Sequence, residues 1–257
     1  MCLLVAVFQV VEDAPVIIAA NRDERYDRPA TPLAALSPAR PRILGGRDEL
    51  AGGTWLAVNE HGVVAGLTNK PAVAGRDPAK RSRGEIPMVL ATEASAADAV
   101  GALRATLTPE SFNPCWVLVG DRDSLHYVDM TDPDGASSES LPPGVHILEN
   151  KPLGEPSAKV RHVRDLVGDL GSRSAAEALT RLRAVLRDHV IPEAPLEDTE
   201  AALLGAQVSA CCVHTELYGT RSSMLVHDPA SRDIEPQVWA SNGPSCVNVL
   251  QKASFAP

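Results

Sequence analysis

MCLLVAVFQVVEDAPVIIAANRDER, residues 1–25, is the stretch that decides the fold. Leu3 to Val10 and Val16 to Ala20 are short apolar runs, and Glu12, Asp13, Ala14 and Pro15 between them form the polar break of a hairpin turn. The second run stops abruptly at Asn21-Arg22-Asp23-Glu24-Arg25. A strand that ends in dense charge puts that charge at the rim of its sheet. In an antiparallel hairpin the end of the second strand lies beside the start of the first, so Asn21 to Glu24 are brought next to Cys2.

Chemistry follows from that juxtaposition. Removal of Met1, favoured when the next side chain is small, leaves Cys2 with both a thiol and a free α-amine. The amine, with an ordinary pKa of about 7.7–8.0, takes the thiol proton directly or through a water, and no histidine is required. Asp23 is placed to orient the ammonium group. Arg22 is placed to favour a thiolate or to receive an anionic substrate group, and Asn21 and Glu24 flank it as substrate-binding candidates. Plainer readings stand beside these: Cys2 as a compact buried hydrophobe, and residues 21–25 as a solvated, salt-bridged loop.

Outward from the hairpin, Arg28 to Pro41 is rich in Pro and Ala and predicts an extended loop. It leads to Gly45-Gly46-Arg47-Asp48, in which an internal Arg47–Asp48 salt bridge is expected. Trp55 to Val58 and Val63 to Leu67 read as strands around the turn Asn59-Glu60-His61-Gly62. Residues 86–106 and 157–190 carry helical periodicity. Strands are expected again at Cys115–Val119, His126–Met130, Val145–Leu148, Ser209–His214 and Ser222–His227, while Trp239 and Cys246 lie in a tail without assignment. Strands, helices, strands, helices, strands, without regular βαβ alternation, argue for sheets covered by helix layers and against a doubly wound fold. Trp55 and Trp116 read as core residues, and the glycine pairs as loop formers.

The chain of 257 residues, 44% hydrophobic and 22% charged, has the size of a single compact domain, 1–257. A net charge of −9 disfavours nucleic acid and anionic membrane surfaces as partners. The first apolar run is too short to span a bilayer and lacks a basic flank, so a buried strand is expected rather than a signal peptide or transmembrane segment. Cys2, Cys115, Cys211, Cys212 and Cys246 are scattered and odd in number, which fits a reducing compartment such as the cytoplasm. No short-range metal, haem-attachment or P-loop motif occurs, and no metal site is expected. In Cys211-Cys212-Val213-His214, neighbouring strand residues would face opposite ways and so not share one ion.

Several blocks together resemble a known family. The Met-Cys start, Asn21-Arg22-Asp23-Glu24, Gly45-Gly46-Arg47-Asp48, Gly52-Gly53-Thr54-Trp55-Leu56-Ala57-Val58-Asn59, Gly66-Leu67-Thr68-Asn69, Leu148-Glu149-Asn150 and Gly219-Thr220-Arg221-Ser222-Ser223 occur in matching order. The chain resembles the NRDE family, whose eukaryotic members are called transport and Golgi organisation protein 2 homologues. That family in turn resembles the cysteine N-terminal-nucleophile (Ntn) hydrolases that include conjugated bile acid hydrolase, penicillin V acylase and acid ceramidase. The resemblance implies an α+β fold, a four-layer αββα sandwich of two mainly antiparallel sheets. It further implies Cys2 as nucleophile, Asp23 at its amine, Asn69 and Asn150 at an oxyanion hole, and Arg221 near the nucleophile. From the residues alone, Asn69 and Asn150 remain open as turn or cap residues. Ala20 stands where the bile acid and penicillin hydrolases commonly carry an arginine.

Two functions are implied. One is a cysteine amidohydrolase or acyltransferase acting on a small amide or acyl substrate, with no cofactor required. The alternative is a non-catalytic carrier of acyl-CoA, lipid or haem, haem being bound as cargo. Neither implies an oligomeric state.

Overall fold

The structure, a computed structural model, describes residues 2–37, 39–71, 75–193 and 205–255. The opening hairpin is present. β1 (Cys2–Val11) and β2 (Ala14–Arg25) pair antiparallel, from Cys2 opposite Arg22 to Val11 opposite Ala14. A bulge between Phe8 and Val11 contains Gln9 at φ 50°. A second antiparallel sheet follows in chain order: β3 (Ala30–Ser37), β4 (Ile43–Asp48), β5 (Leu56–Asn59), β6 (Val64–Asn69), β7 (Cys115–Gly120), β8 (Leu125–Asp129) and β9 (Ser137–Ser140). The chain then returns to the first sheet with β10 (Gly144–Leu148), β11 (Tyr218–Asp228), β12 (Gln237–Ala240) and β13 (Gln251–Ala253), giving the order β10-β1-β2-β11-β12-β13.

Four helices are described: α1 (Glu85–Leu90), α2 (Ala96–Thr106), α3 (Ala158–Val167) and α4 (Ala175–Arg187). Each expected helical region is broken in two. Ser95 starts α2 by accepting the Asp98 backbone N–H on its side chain. Gly168, at φ 59°, ends α3, and a capping box between Ser174 and Glu177 starts α4.

Alternation along β1 shows where the layers lie. Leu3, Val5 and Val7 pack with Val163, Val167, Leu182 and Leu186 of α3 and α4. Leu4, Ala6 and Phe8 pack with Leu56, Val58, Trp116 and Leu118 of the second sheet. On the far face of that sheet, Ala65, Leu67, Val117 and Val119 pack with Ile86, Leu90, Val100 and Leu103 of α1 and α2. Helices, sheet, sheet, helices: this is the expected αββα sandwich, and both sheets are antiparallel throughout their described pairings.

Three expectations are corrected. Gly45 and Gly46, read as loop formers, lie within β4, where a Cβ on Gly45 would meet the Leu56 carbonyl and one on Gly46 the Trp55 ring. The predicted loop 28–41 contains β3, an edge strand whose register slips twice against β4, and an edge tolerates Pro32 because the missing N–H has no ladder to break. The predicted strand Ser209–His214 is instead a 3-10 turn at Ala206–Ser209 followed by an irregular buried segment. The place beside β2 is filled by β11, so this apolar run meets backbone partners singly, with Cys212 donating to the Asp188 carbonyl and Val213 to the Thr220 hydroxyl. Among the described residues no helix is long and apolar enough to cross a membrane.

Candidate active site at the rim of the hairpin

Cys2 begins β1 with its neighbours Leu4 and Ala6 on the face turned toward the second sheet. It is buried, and its backbone N–H donates to Asn150 Oδ1 at 2.8 Å. Asn150 follows β10, the strand on the other side of β1, and its Nδ2 donates to the carbonyl of Asn69 at the end of β6. One amide thus ties the start of the first sheet to the second. Burial pushes the Cys2 thiol above its ordinary pKa. The positive chain terminus, the Asp23 backbone N–H and the Arg22 guanidinium pull it back, while the Asp23 charge adds to the rise.

Asp23 is buried two residues beyond Asn21 on β2, and it accepts a 2.6 Å hydrogen bond from the Thr220 hydroxyl of β11. Burial raises its carboxyl to about 6, against the lowering pull of the chain terminus, Lys159, Thr220 and Arg22. Near neutral pH it is therefore largely ionised and able to hold a positively charged amine.

Arg22, opposite Cys2, is buried and stacks on Trp55 with its guanidinium carbon 4.3 Å from the ring centroid. Its Nη2 reaches Asp48 at 3.4 Å and Glu24 at 4.0 Å. Its Nη1 is buried without a hydrogen-bond partner among the described residues. Desolvation pulls this guanidinium below its ordinary pKa, with the charges of Cys2, Glu24 and Asp48 opposing. The expected Arg47–Asp48 bridge is not formed: Asp48 pairs with Arg28 at 2.7 Å and with Arg22. Burial acts to raise the Asp48 carboxyl, but its bonds from Arg28 and the Ala51 N–H carry it below the usual range.

Cys2, Arg22, Asp23, Glu24 and Asn69 line one cavity of about 310 Å³, together with Trp55 and residues 76 and 80–84. Six cations face it (Arg22, Arg28, Arg76, Lys80, Arg81 and Arg83) against three carboxylates, Asp23, Glu24 and Asp48. In a chain of net charge −9 this is a local inversion of sign. The lining includes no histidine, and Cys2 is its one soft donor. Arg83 is drawn below its ordinary pKa by burial and donates to the Pro114 carbonyl. The loop carrying Arg76 to Arg83 was missed by attention to net charge, although four cations within eight residues were the available signal. Thr220 was missed as well, though it adjoins Arg221 in the quoted block.

Three predicted residues are absent from the lining: Asn21, Arg221 and Asn150, the last of which reaches the site only through its bonds to Cys2 and Asn69. Asn21 faces the helices, as its odd position on β2 requires, and its side chain bonds the Leu186 and Cys211 carbonyls and the Ser223 hydroxyl. Its expected substrate contact is replaced by a structural one. Arg221 sits at the register shift of β11 and is absent from the cavity lining. Its guanidinium donates to the carbonyls of Arg25 and Tyr26, fastening the end of β2.

A thiol, a buried carboxylate, amide side chains and a cationic wall thus share one cleft. Such a set is suited to attack on the carbonyl of an acyl substrate that bears negative charge.

Comparison with known proteins agrees with this architecture. Solved structures that share the fold include these two. One is a variant of conjugated bile acid hydrolase from Clostridium perfringens, with TM-score 0.54 and 12% identity, covering 99% of this chain and 92% of that one. The other is the Caenorhabditis elegans N-acylethanolamine-hydrolyzing acid amidase ortholog, with TM-score 0.52 and 13% identity, covering 87% and 92%. At such identities the likeness is one of fold, the Ntn-hydrolase-like sandwich. In sequence, the transport and Golgi organization 2 homologs of Mus musculus and Homo sapiens are each 29% identical over 231 residues, spanning 82% of this chain and 80% of theirs. The profile of the family described as Transport and Golgi organisation 2 matches residues 1–234, and the chain belongs to that family.

Proposed function

We propose that this protein is an Ntn-type cysteine amidohydrolase or acyltransferase in which Cys2, exposed as the first residue by removal of Met1, attacks a small acyl substrate carrying an anionic group. The carrying observation is the cavity itself: Cys2 is held through its nitrogen by Asn150 at 2.8 Å, beside Asp23 and beneath a cationic wall. In this reading the α-amine takes the thiol proton, and the thiolate adds to the acyl carbon. The tetrahedral oxyanion then expels an amine or thiol, which leaves with that proton, and water or another acceptor releases the thioester. Asn69 and the second N–H of the Asn150 amide serve the oxyanion, a contribution of about 2.7–4 kcal/mol for each donor in comparable sites. Arg22 and the loop cations take the anionic group.

Mass analysis of the intact protein and mapping of a chloroacetamide adduct provide the test. The expected result is a chain lacking Met1 with the adduct on Cys2, and a covalent acyl-enzyme trapped from an activated ester. A retained Met1, or a Cys2→Ser variant that turns substrate over normally, ends the proposal.

A second reading is favoured by the buried, unpartnered Arg22 Nη1. In it the same cleft carries an acid-bearing ligand such as acyl-CoA or haem without turnover, with Cys2 the one soft iron donor in the lining. Titration of both ligands against wild type and Arg22→Ala separates the two: tight binding without an acyl-enzyme supports the carrier.

A further inference from the structure

Where α4 ends, three segments distant in sequence converge. His189 follows the helix, Cys212 and His214 lie on the irregular segment before β11, and Cys246 lies in the tail after β12. One donor atom from each residue falls within 4.8 Å of every other. The two Sγ atoms are 3.7 Å apart, and His214 Nε2 is 3.5 Å from Cys212 Sγ and 3.4 Å from Cys246 Sγ. Zinc bonds of about 2.3 Å to sulfur and about 2.0–2.1 Å to nitrogen, set tetrahedrally, imply a sulfur–sulfur edge of about 3.8 Å and sulfur–nitrogen edges of about 3.5 Å. The three measured edges match that triangle.

His189 brings the fourth donor, within 4.8 Å of the other three. Its Nδ1 lies 3.2 Å from the Cys212 carbonyl. A carbonyl only accepts, so Nδ1 carries the proton and Nε2 keeps its lone pair for a metal, the usual outer-shell arrangement for a ligating histidine. Its ring stands 5.0 Å from that of His214 and tilted 49° to it, so the two imidazoles converge without stacking. Cys211 takes no part. It is buried in the core against the helices.

We infer that His189, Cys212, His214 and Cys246 form a tetrahedral Cys2His2 site for a borderline-soft divalent ion, zinc. Four protein ligands close the coordination sphere, which marks the site as structural rather than catalytic. Sulfur and imidazole donors select against magnesium and calcium. On binding, two thiols lose two protons to solvent and the divalent ion replaces them, leaving two thiolates, two neutral imidazoles and no net charge. The ion joins the end of α4, the 212–214 segment and the tail. These are the elements that Asn21 grips through the Leu186 and Cys211 carbonyls and that Ser245 grips through the Leu186 carbonyl. The site therefore braces the back of the strand that carries Arg22 and Asp23. No short-range motif announces the site because its donors lie 23, 2 and 32 residues apart, and only the packing of the tail unites them.

The test uses the full chain, purified under reducing conditions and loaded with zinc or cobalt(II). The expected result is one zinc per chain by elemental analysis, and a cobalt form with intense visible bands and thiolate-to-metal charge transfer in the near ultraviolet. Cys246→Ser, His214→Ala and His189→Ala, at positions exposed or half-exposed, should each weaken zinc by more than about 100-fold while circular dichroism shows a retained fold. Cys2→Ser should keep the zinc. Absence of stoichiometric zinc in reduced protein, a cobalt spectrum without charge transfer, or full zinc binding in folded Cys246→Ser would overturn the inference. Loss of the metal in Cys2→Ser would do so too, by assigning the ion to the nucleophile's cleft.

Discussion

Asn150 accepts the backbone N–H of Cys2 and, with the same side-chain amide, donates to the carbonyl of Asn69. Two sheets are thereby pinned at the point where Cys2 stands. Asn150→Ala leaves both backbone groups without that partner, at about 1–3 kcal/mol for each that stays buried and unpaired. Urea unfolding should show that loss, and chloroacetamide should label Cys2 more slowly relative to denatured protein. Unchanged stability together with unchanged labelling would show that the bridge does not matter.

Asp23 makes stability depend on pH in an unusual direction. Its carboxyl is raised from 3.8 to about 6 in the folded protein, so the folded state holds the proton more tightly than the unfolded state does. The associated stability is fully present below pH 3.8 and is lost as pH rises through about 6. Asp23→Asn removes this dependence. It should gain on the order of 3 kcal/mol relative to wild type above that range, while reactivity at Cys2 falls. Thermal melts from pH 4 to 8 give the answer; parallel curves for the two proteins would contradict it.

Arg22 is a buried cation whose partners do not fully satisfy it. Replacing such a group by an apolar one of similar size is often neutral or stabilising. Arg22→Met should therefore melt no lower than wild type by more than a few degrees. Affinity for an anionic ligand should fall by about tenfold or more, the worth of one hydrogen bond to a charged group. Arg83→Gln should lower the same affinity and weaken its salt dependence. Isothermal titration at two ionic strengths distinguishes this from a purely structural role.

Gly46 has no room for a side chain. A Cβ there would lie 2.0 Å from the Trp55 ring, the platform on which Arg22 rests. Gly46→Ala should cost about 1–3 kcal/mol and disturb the stack. Quenching and spectral shift of tryptophan fluorescence, with denaturant melts, measure both effects; a wild-type spectrum and midpoint would show that the ring moves aside freely.

Much of this was legible in the chain, for identifiable reasons. The hairpin and the adjacency of Cys2 to Arg22 and Asp23 follow from two apolar runs, one turn and antiparallel pairing, all local. Period-two alternation is equally local, and it would have assigned Asn21 to the helix side had it been carried one residue past the apolar run. Arg221 shows a different limit, because a register shift in β11 turns it toward Arg25 and Tyr26, and no pattern of residue types announces such a shift. The segment 209–214 has a strand's composition, and it is irregular because β11 already occupies the neighbouring place in the sheet. The cationic loop escaped notice because total charge conceals local charge.

That loop reaches the cleft in an economical way. Gly53 and Gly84 meet backbone to backbone, so close that a Cβ on Gly53 would fall 2.5 Å from Gly84, and Thr54 donates to the Gly84 carbonyl. Cys2, Arg22 and Asp23 are rooted in the long central strands, whereas the loop cations are held outside the sheets, by this glycine contact and by bonds of Asp77, Arg81 and Arg83 with residues 111–114. Substitutions within residues 76–83 therefore rewrite the charge that faces the cleft while leaving in place the strands that hold Cys2, Arg22 and Asp23.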